Sequence, residues 1–393
     1  MKILYIHQYF TTPEQPGGTR SYWISKELIK HGHDVTMLTT TNKKSKKVNI
    51  DGIHVVYLKI PYSSHMGILH RLLAFIKFML ATTLFVLKSN KFDLILATST
   101  PLTVGFPALV GKKIKKIPYF FEVRDLWPEV PIQMGAFKNK IIIKLTKWFE
   151  RSIYRNAYHI VALSPGMYEG VISTGVGDEK VSMIPNMSKI DKFWPHKKNE
   201  QLIEEFKLDP NTFKVIYFGA MGIANGMNYI LDAAKLLSNR KDIEFLFFGF
   251  GSMKPILEKR CVDEEISNIR FFKGEPMERL SEIVNFCDIS LVTFSNLPIL
   301  ATNSPNKLFD SLSAGKPIIV NSPGWTKDMV EKYNCGVYVN PEIPIELSNQ
   351  IINLKNNPEL CDIMGVNSRK LAENTFDKSI LCDQYAKLIA STL

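Results

Sequence analysis

The sequence predicts an α/β protein made of two doubly wound parallel-sheet domains, and three observations carry that expectation. Apolar runs of strand length alternate with longer amphipathic runs along the whole chain. Glycines follow several of the strand runs, where a backbone can turn closely toward a ligand. Near the middle, the polar and proline-marked stretch NMSKIDKFWPHKKNEQLIEEFKLDPN interrupts the rhythm as a linker would, and the alternation then starts again. A length of 393 residues suits two to three domains.

Taken in order, ILYIH is the first strand. The opening MKILYIHQYF is too short in its apolar run, and too soon polar, to read as a secretion signal. A helix over 19–30 leads to DVTMLTT, then IHVVYL, a nearly apolar helix over 66–88, DLILATST, PYFFEV, HIVALS and VSMIP. The second half runs FKVIYFGAMG, a helix over 227–237, IEFLFFGFG, another helix, IRFFKG, a helix over 277–286, ISLVTF, the segment NSPNKLFDSLSAGKP, PIIVNSPG and GVYVN. SILCDQYAKLIA adds a last amphipathic helix. The expected domains are 1–190 and 191–375, with 376–393 returning to the first.

Composition narrows the function. The five cysteines are scattered without a Cys-x-x-Cys pair, which argues against a zinc site or a disulfide framework and suits a reducing cytoplasm. Residues 1–190 hold 26 basic and 12 acidic side chains, the remainder 23 and 26, so the first half expects an anionic partner. No nucleic-acid-binding signature occurs. A membrane surface fits better, because apolar stretches lie beside the charges. The helix over 66–88 is interrupted by His70, Arg71 and Lys77, and 138–155 sets lysines and arginines around Trp148 and Phe149. Both segments also read as ordinary core-facing helices of a layered domain.

In NSPNKLFDSLSAGKP, Ser304 reads as an N-cap, Pro305 as the first helical residue and Gly315 as the stop, giving a helix over 305–314. Asn306, Lys307 and Asp310 share one face near its start, where unpaired N–H groups favour an anion. Lys307 would add a positive charge, and Asp310 could accept from sugar hydroxyls. A capped surface helix is the plain alternative. Gly17, Gly18, Gly219 and Gly251 mark loops at strand ends, where doubly wound sheets bind ligands. Arg20 stands to reach a phosphate and His7 to face the same end, although each also fits a structural role. The dinucleotide and phosphate-loop glycine fingerprints and any Asp-x-Asp are absent, leaving no obvious carboxylate pair for a nucleotide-bound metal.

These runs resemble the family 4 retaining glycosyltransferases of the GT-B fold, over essentially the whole chain. PEQPGGTRSYWISKELIKHGHDVTML, LATSTPLTVG, FEVRDLWPE, MIPNMSKIDKFWP, FGAMGIANGM, FGFGSMKPILE and NSPNKLFDSLSAGKPIIV carry the similarity. More narrowly the chain resembles the bacterial O-antigen and capsule branch, which includes N-acetyl-L-fucosamine transferases. The resemblance implies a UDP-sugar donor held by Gly219, Asn225, Gly251, Lys273, Met277, Asn306, Lys307, Leu308 and Asp310, with Gly17, Gly18 and Arg20 of the first domain facing it. Met277 and Leu280 would cover the uracil. It implies no metal and no cofactor, so amides and cations must stabilise the departing diphosphate.

Departures shift the burden. Ala220 and Asn225 stand where many members have an Arg and a Lys, and Thr302 and Asp310 stand in the places of a Glu-x7-Glu pair. Arg124 replaces a catalytic-region histidine. Arg124 cannot act as a base, so Glu122 and Asp125 are the candidates for activating an acceptor hydroxyl. The implied protein is a cytoplasmic enzyme at the inner face of the cell membrane, transferring a sugar to a polyprenyl-diphosphate-linked saccharide. A UDP-sugar 2-epimerase of the same fold and a non-catalytic sugar-nucleotide scaffold remain alternatives.

Overall fold

Parallel strands need crossovers longer than a hairpin, and helices supply them throughout this computed structural model, which describes residues 1–63, 66–89 and 91–392. The chain divides into two units. The first consists of Met1–Thr12, Gly18–Pro185 and Ser379–Leu393, the second of Pro13–Gly17 and Asn186–Lys378.

The first unit holds eight strands: β1 (Lys2–Ile6), β2 (Asp34–Thr41), β3 (Lys46–Ile50), β4 (Ile53–Lys59), β5 (Leu94–Thr98), β6 (Tyr119–Val123), β7 (His159–Ala162) and β8 (Val181–Met183). Their order is β3-β4-β2-β1-β5-β6-β7-β8. Every neighbour pairs in parallel except β3, which runs antiparallel to β4 through the two-residue turn Asp51-Gly52, both at positive φ. Such a turn is a strong hairpin signal, and it marks the edge strand that the expected order of elements omits. The helices are α1 (Arg20–Lys30), α2 (Ile68–Lys88), α3 (Gly105–Val110), α4 (Glu129–Gln133), α5 (Lys140–Asn156) and α6 (Pro165–Ile172). Strands covered on both faces are continuously apolar, as in β1, where Ile3, Leu4, Tyr5 and Ile6 are all fully buried.

Two helices of this unit pack against α3 and are only half inward-facing. On α2, Ala74, Phe78 and Val86 are buried, while Leu69, Leu72, Leu73, Ile76, Leu80 and Leu84 form an exposed ridge at helical spacing. On α5, Ile153 is fully buried, whereas Ile141, Leu145 and Trp148 are exposed beside Lys144 and Arg151. The core-facing reading of these two segments therefore holds for one face only. Among the described residues α2 is also the one helix long and apolar enough to cross a membrane.

The second unit holds β9 (Phe213–Ala220), β10 (Ile243–Phe250), β11 (Ile269–Phe272), β12 (Ile289–Val292), β13 (Ile318–Val320) and β14 (Gly336–Tyr338), all parallel in the order β11-β10-β9-β12-β13-β14. The helices are α7 (Glu200–Glu205), α8 (Met227–Leu236), α9 (Lys254–Asp263), α10 (Met277–Phe286), α11 (Asn306–Ser313), α12 (Trp325–Lys332), α13 (Pro344–Asn356), α14 (Pro358–Leu371) and the last, α15 (Lys378–Thr392), whose residues from Ser379 on count with the first unit. The strand order reverses between β9 and β12, the switch point at which doubly wound sheets open a crevice. The presumed linker is a correction. Its Phe193, Leu202, Ile203 and Leu208 belong to the core on one face of the sheet, together with Phe218, Phe248 and Phe286, because their apolar surface is too large to leave in water.

In the first unit, α3 and α5 meet closely: a Cβ on Gly105 would lie 2.6 Å from Ile153 Cδ1. Gly105→Val is expected to lower the stability of this unit by roughly 1–3 kcal/mol through overpacking, seen as a lower urea midpoint with an unchanged slope.

Candidate functional site

In the second unit the switch point gathers one glycine and one lysine. β9 ends at Gly219, whose φ of +112° is open to glycine and strained for other residues. A Cβ there would stand 3.6 Å from Lys307 Cε. Lys307 lies in the first turn of α11 and is only 9% exposed. Its Nζ sits 3.7 Å from the centroid of the Tyr217 ring and has no hydrogen-bond partner among the described residues. Burial pulls its amine down to about 7. The residue before the helix, Pro305, offers no capping side chain. Ser304 is therefore not the expected N-cap: its hydroxyl accepts from the Asn186 backbone N–H at 3.2 Å and its carbonyl from the Asn186 side chain. No side chain caps the first turn of α11, where the Leu308 N–H donates to the Pro305 carbonyl at 3.1 Å, and a helix start without a side-chain cap suits an anion.

Asp310 lies one turn further along, buried and ion-paired with Lys189. Burial raises its carboxyl, against the pull of Lys189. Lys189 follows β8 in a run of no marked pattern, and its role was not visible in the sequence. Asn306 begins α11 and is partly buried.

Five expected donor residues do not join this group. Leu308 is fully buried, and Met277 packs in the core with Phe218 and Phe248. The Asn225 side chain accepts from the Gly222 N–H at 3.1 Å, closing a turn. Lys273 points to solvent, 3.8 Å from Glu275. Gly251 answers to the chain itself, since a Cβ there would lie 2.3 Å from the Met221 carbonyl oxygen.

In the first unit, Arg124 and Asp125 follow β6. The Arg124 backbone N–H donates to Ser99 Oγ at 3.0 Å and its guanidinium donates to His7 Nε2 at 3.2 Å. An imidazole nitrogen that accepts from arginine leaves the proton on Nδ1, which faces Ser21 Oγ at 2.7 Å. Burial, and then the Arg124 charge, hold the His7 pKa well below the ordinary value, so the ring stays neutral. His7 is thus the buried, satisfied histidine of the plain reading, and it orients Arg124. Asp125 is partly buried, and burial lifts its carboxyl to about 6 against the pull of Arg124.

Two further expectations are corrected here. Arg20 and Glu122 form a buried ion pair, Nε to Oε2 at 2.9 Å, with side chains 0% and 2% exposed. The other guanidinium nitrogens of Arg20 donate to the carbonyls of Ile184 and Pro185, and Thr98 donates to Glu122 Oε1 at 2.7 Å. Neither is available to a phosphate or an acceptor hydroxyl. Gly17 is exposed, and the Gly18 carbonyl accepts from the Thr11 hydroxyl at 2.9 Å. One group of metal-type ligands occurs among the described residues, Glu27, His31 and Asp383. It lies at the last turn of α1, the opposite end of that helix from the strand carboxyl ends, and its carboxylates already pair with Lys30 and Lys387.

Residues 17–187 match the family described as "Glycosyl transferase 4-like domain", and residues 198–371 match "Glycosyl transferases group 1". This chain is a glycosyltransferase of the family 4, group 1 kind. Over 410 aligned residues it is 22% identical to the protein named "Probable glycosyltransferase WbjE" of Pseudomonas aeruginosa, spanning 100% of this chain and 98% of that one. It is 26% identical to WcaI of Escherichia coli K12, a protein named for colanic acid biosynthesis, over 64% of this chain and 61% of that one. The structure of Anabaena HepE, solved with UDP and glucose, superposes with a TM-score of 0.75 at 18% identity over the whole of both chains, so the GT-B fold is shared. Both matched families are transferases, which leaves the epimerase and scaffold readings without support.

Arg20→Met is expected to destabilise the protein by about 3–5 kcal/mol by stranding a buried carboxylate, with nucleotide affinity per folded molecule unchanged. Chemical denaturation and ligand titration of the same preparation check both halves.

Proposed function

We propose that this glycosyltransferase moves an N-acetylated deoxyhexosamine such as N-acetyl-L-fucosamine from UDP to a saccharide carried on a polyprenyl diphosphate. The reaction proceeds with retention and without a metal, in O-antigen or capsule assembly. The observation that carries the donor half is Lys307: a buried amine without a hydrogen-bond partner among the described residues, beside a positive-φ glycine and a helix start with no side-chain cap at a sheet switch point. A diphosphate supplies the acceptor atoms those donors lack, and the same groups stabilise the charge that grows on it as the glycosidic bond breaks. Asp310, held by Lys189, has oxygen lone pairs to offer ribose hydroxyls. HepE crystallised with UDP-glucose, and the naming of WcaI for colanic acid, support the donor class and the polysaccharide setting.

In the first unit, Arg124 meets negative charge and Asp125 takes the acceptor hydroxyl's proton. Glu122 is withdrawn from that role because its oxygens are already engaged. UDP release over a panel of sugar donors and lipid-linked acceptors tests the reading, and silence across a broad panel with intact UDP binding would favour a scaffold. A base with a pKa of about 6 is active above that pH, so kcat/KM is expected to fall as pH drops through 6. In Asp125→Asn that acid limb should vanish together with most of the rate, at least about 100-fold.

The enzyme works on the inner face of the cell membrane, at an anionic surface. The leucine ridge of α2 and the cationic face of α5, with Lys144, Lys147, Arg151 and Arg155 around Trp148, have the amphipathic character of interfacial helices. Flotation with phosphatidylglycerol vesicles should carry the protein up, and Leu72→Asp with Leu80→Asp should cut the floated fraction several-fold. Unchanged flotation of the double variant would remove α2 from the surface.

A further inference from the structure

Lys307 presents a physical difficulty of its own. A charged ammonium buried to nine-tenths is costly unless paired, and its Nζ has neither a carboxylate nor any hydrogen-bond acceptor among the described residues. The groups that face it offer little compensation. From β9 comes the Tyr217 ring, whose hydroxyl donates to the Ala220 carbonyl at 2.6 Å and so is turned to its own strand end. From the loop comes the Gly219 backbone. On its own helix the nearest acid is Asp310, and that carboxylate is taken by Lys189. The attraction of a ring face for a cation offsets only part of the desolvation.

We propose that above neutral pH Lys307 rests as the uncharged amine and becomes charged only when a diphosphate arrives, so that binding of the donor nucleotide takes up a proton from solvent. This rests on the donor reading above and adds the state of the site before the donor comes. The neutral amine tolerates its dry position on the Tyr217 ring, and the phosphate oxygens supply the acceptors and counter-charge that favour the ammonium. Burial already brings the free amine to about 7, with no charged group opposing it. Above neutral pH the site therefore holds no fixed charge at Lys307 until nucleotide enters. The sign follows directly. Affinity is greatest below the pKa of the free amine, and it falls with rising pH until the pKa of the complex is passed.

Calorimetry of the full chain with UDP at pH 8.5, in buffers of different ionisation enthalpy, reads the proton directly, because the nucleotide's own phosphate is fully ionised there. The expected result is uptake of about one proton per UDP and an affinity that weakens close to tenfold per pH unit between about pH 8 and 9. Lys307→Arg, which cannot lose its charge, should bind with little proton uptake and little dependence on pH in that range. Lys307→Met should bind more weakly, also without uptake. Wild-type binding with no proton uptake, or with the flat pH dependence of Lys307→Arg, overturns the proposal while leaving the donor site in place. UDP failing to bind at any pH overturns the donor reading and this inference together.

Discussion

The first unit depends on a buried guanidinium. Arg20 starts α1, yet its side chain reaches Glu122 at the end of β6 and the carbonyls that follow β8, joining three stretches far apart in sequence. Both charges are out of water, so their pairing and the surrounding hydrogen bonds are what make the burial tolerable. The adjoining functional group follows from this arrangement. With Glu122 fixed at one end of β6, Arg124 two residues on is aimed at His7, and the neutral imidazole passes its proton side to Ser21 on α1.

The two units treat their cations in opposite ways. The first carries many, most of them exposed and screened, which suits a diffuse partner such as a lipid surface. The second concentrates its chemistry in two lysines, one lying on α11 and the other meeting Asp310 one turn further along that helix. Lys189 is committed to Asp310, and Lys307 rests on the Tyr217 ring with no hydrogen-bond partner among the described residues. Replacing either by a surface lysine would give the same sequence charge and a different site.

Strand and helix periods were legible because they record burial, and burial on both sheet faces leaves uninterrupted apolar runs such as Ile3 to Ile6 of β1 and the whole of β13. The α7 segment was misread because a short amphipathic turn amid lysines and prolines carries too few residues to show a period. Side-chain direction was the harder matter. Arg20, Glu122, Met277 and Leu308 stand next to the right loops in sequence but turn inward, and a linear pattern does not encode which way a long side chain leaves a strand end or first turn. Lys307 and Gly219 were legible because a helix start and a strand end fix the backbone itself, and the backbone brings them together.

The antiparallel strand β3 closes one side of the first sheet with the sequence KKVNI, and Lys46 and Lys47 on it are exposed. An open sheet edge presents unpaired N–H and C=O groups that a second chain can extend, and charged side chains there make such pairing unfavourable. The two lysines of this edge strand thus keep one molecule's sheet from growing into the next.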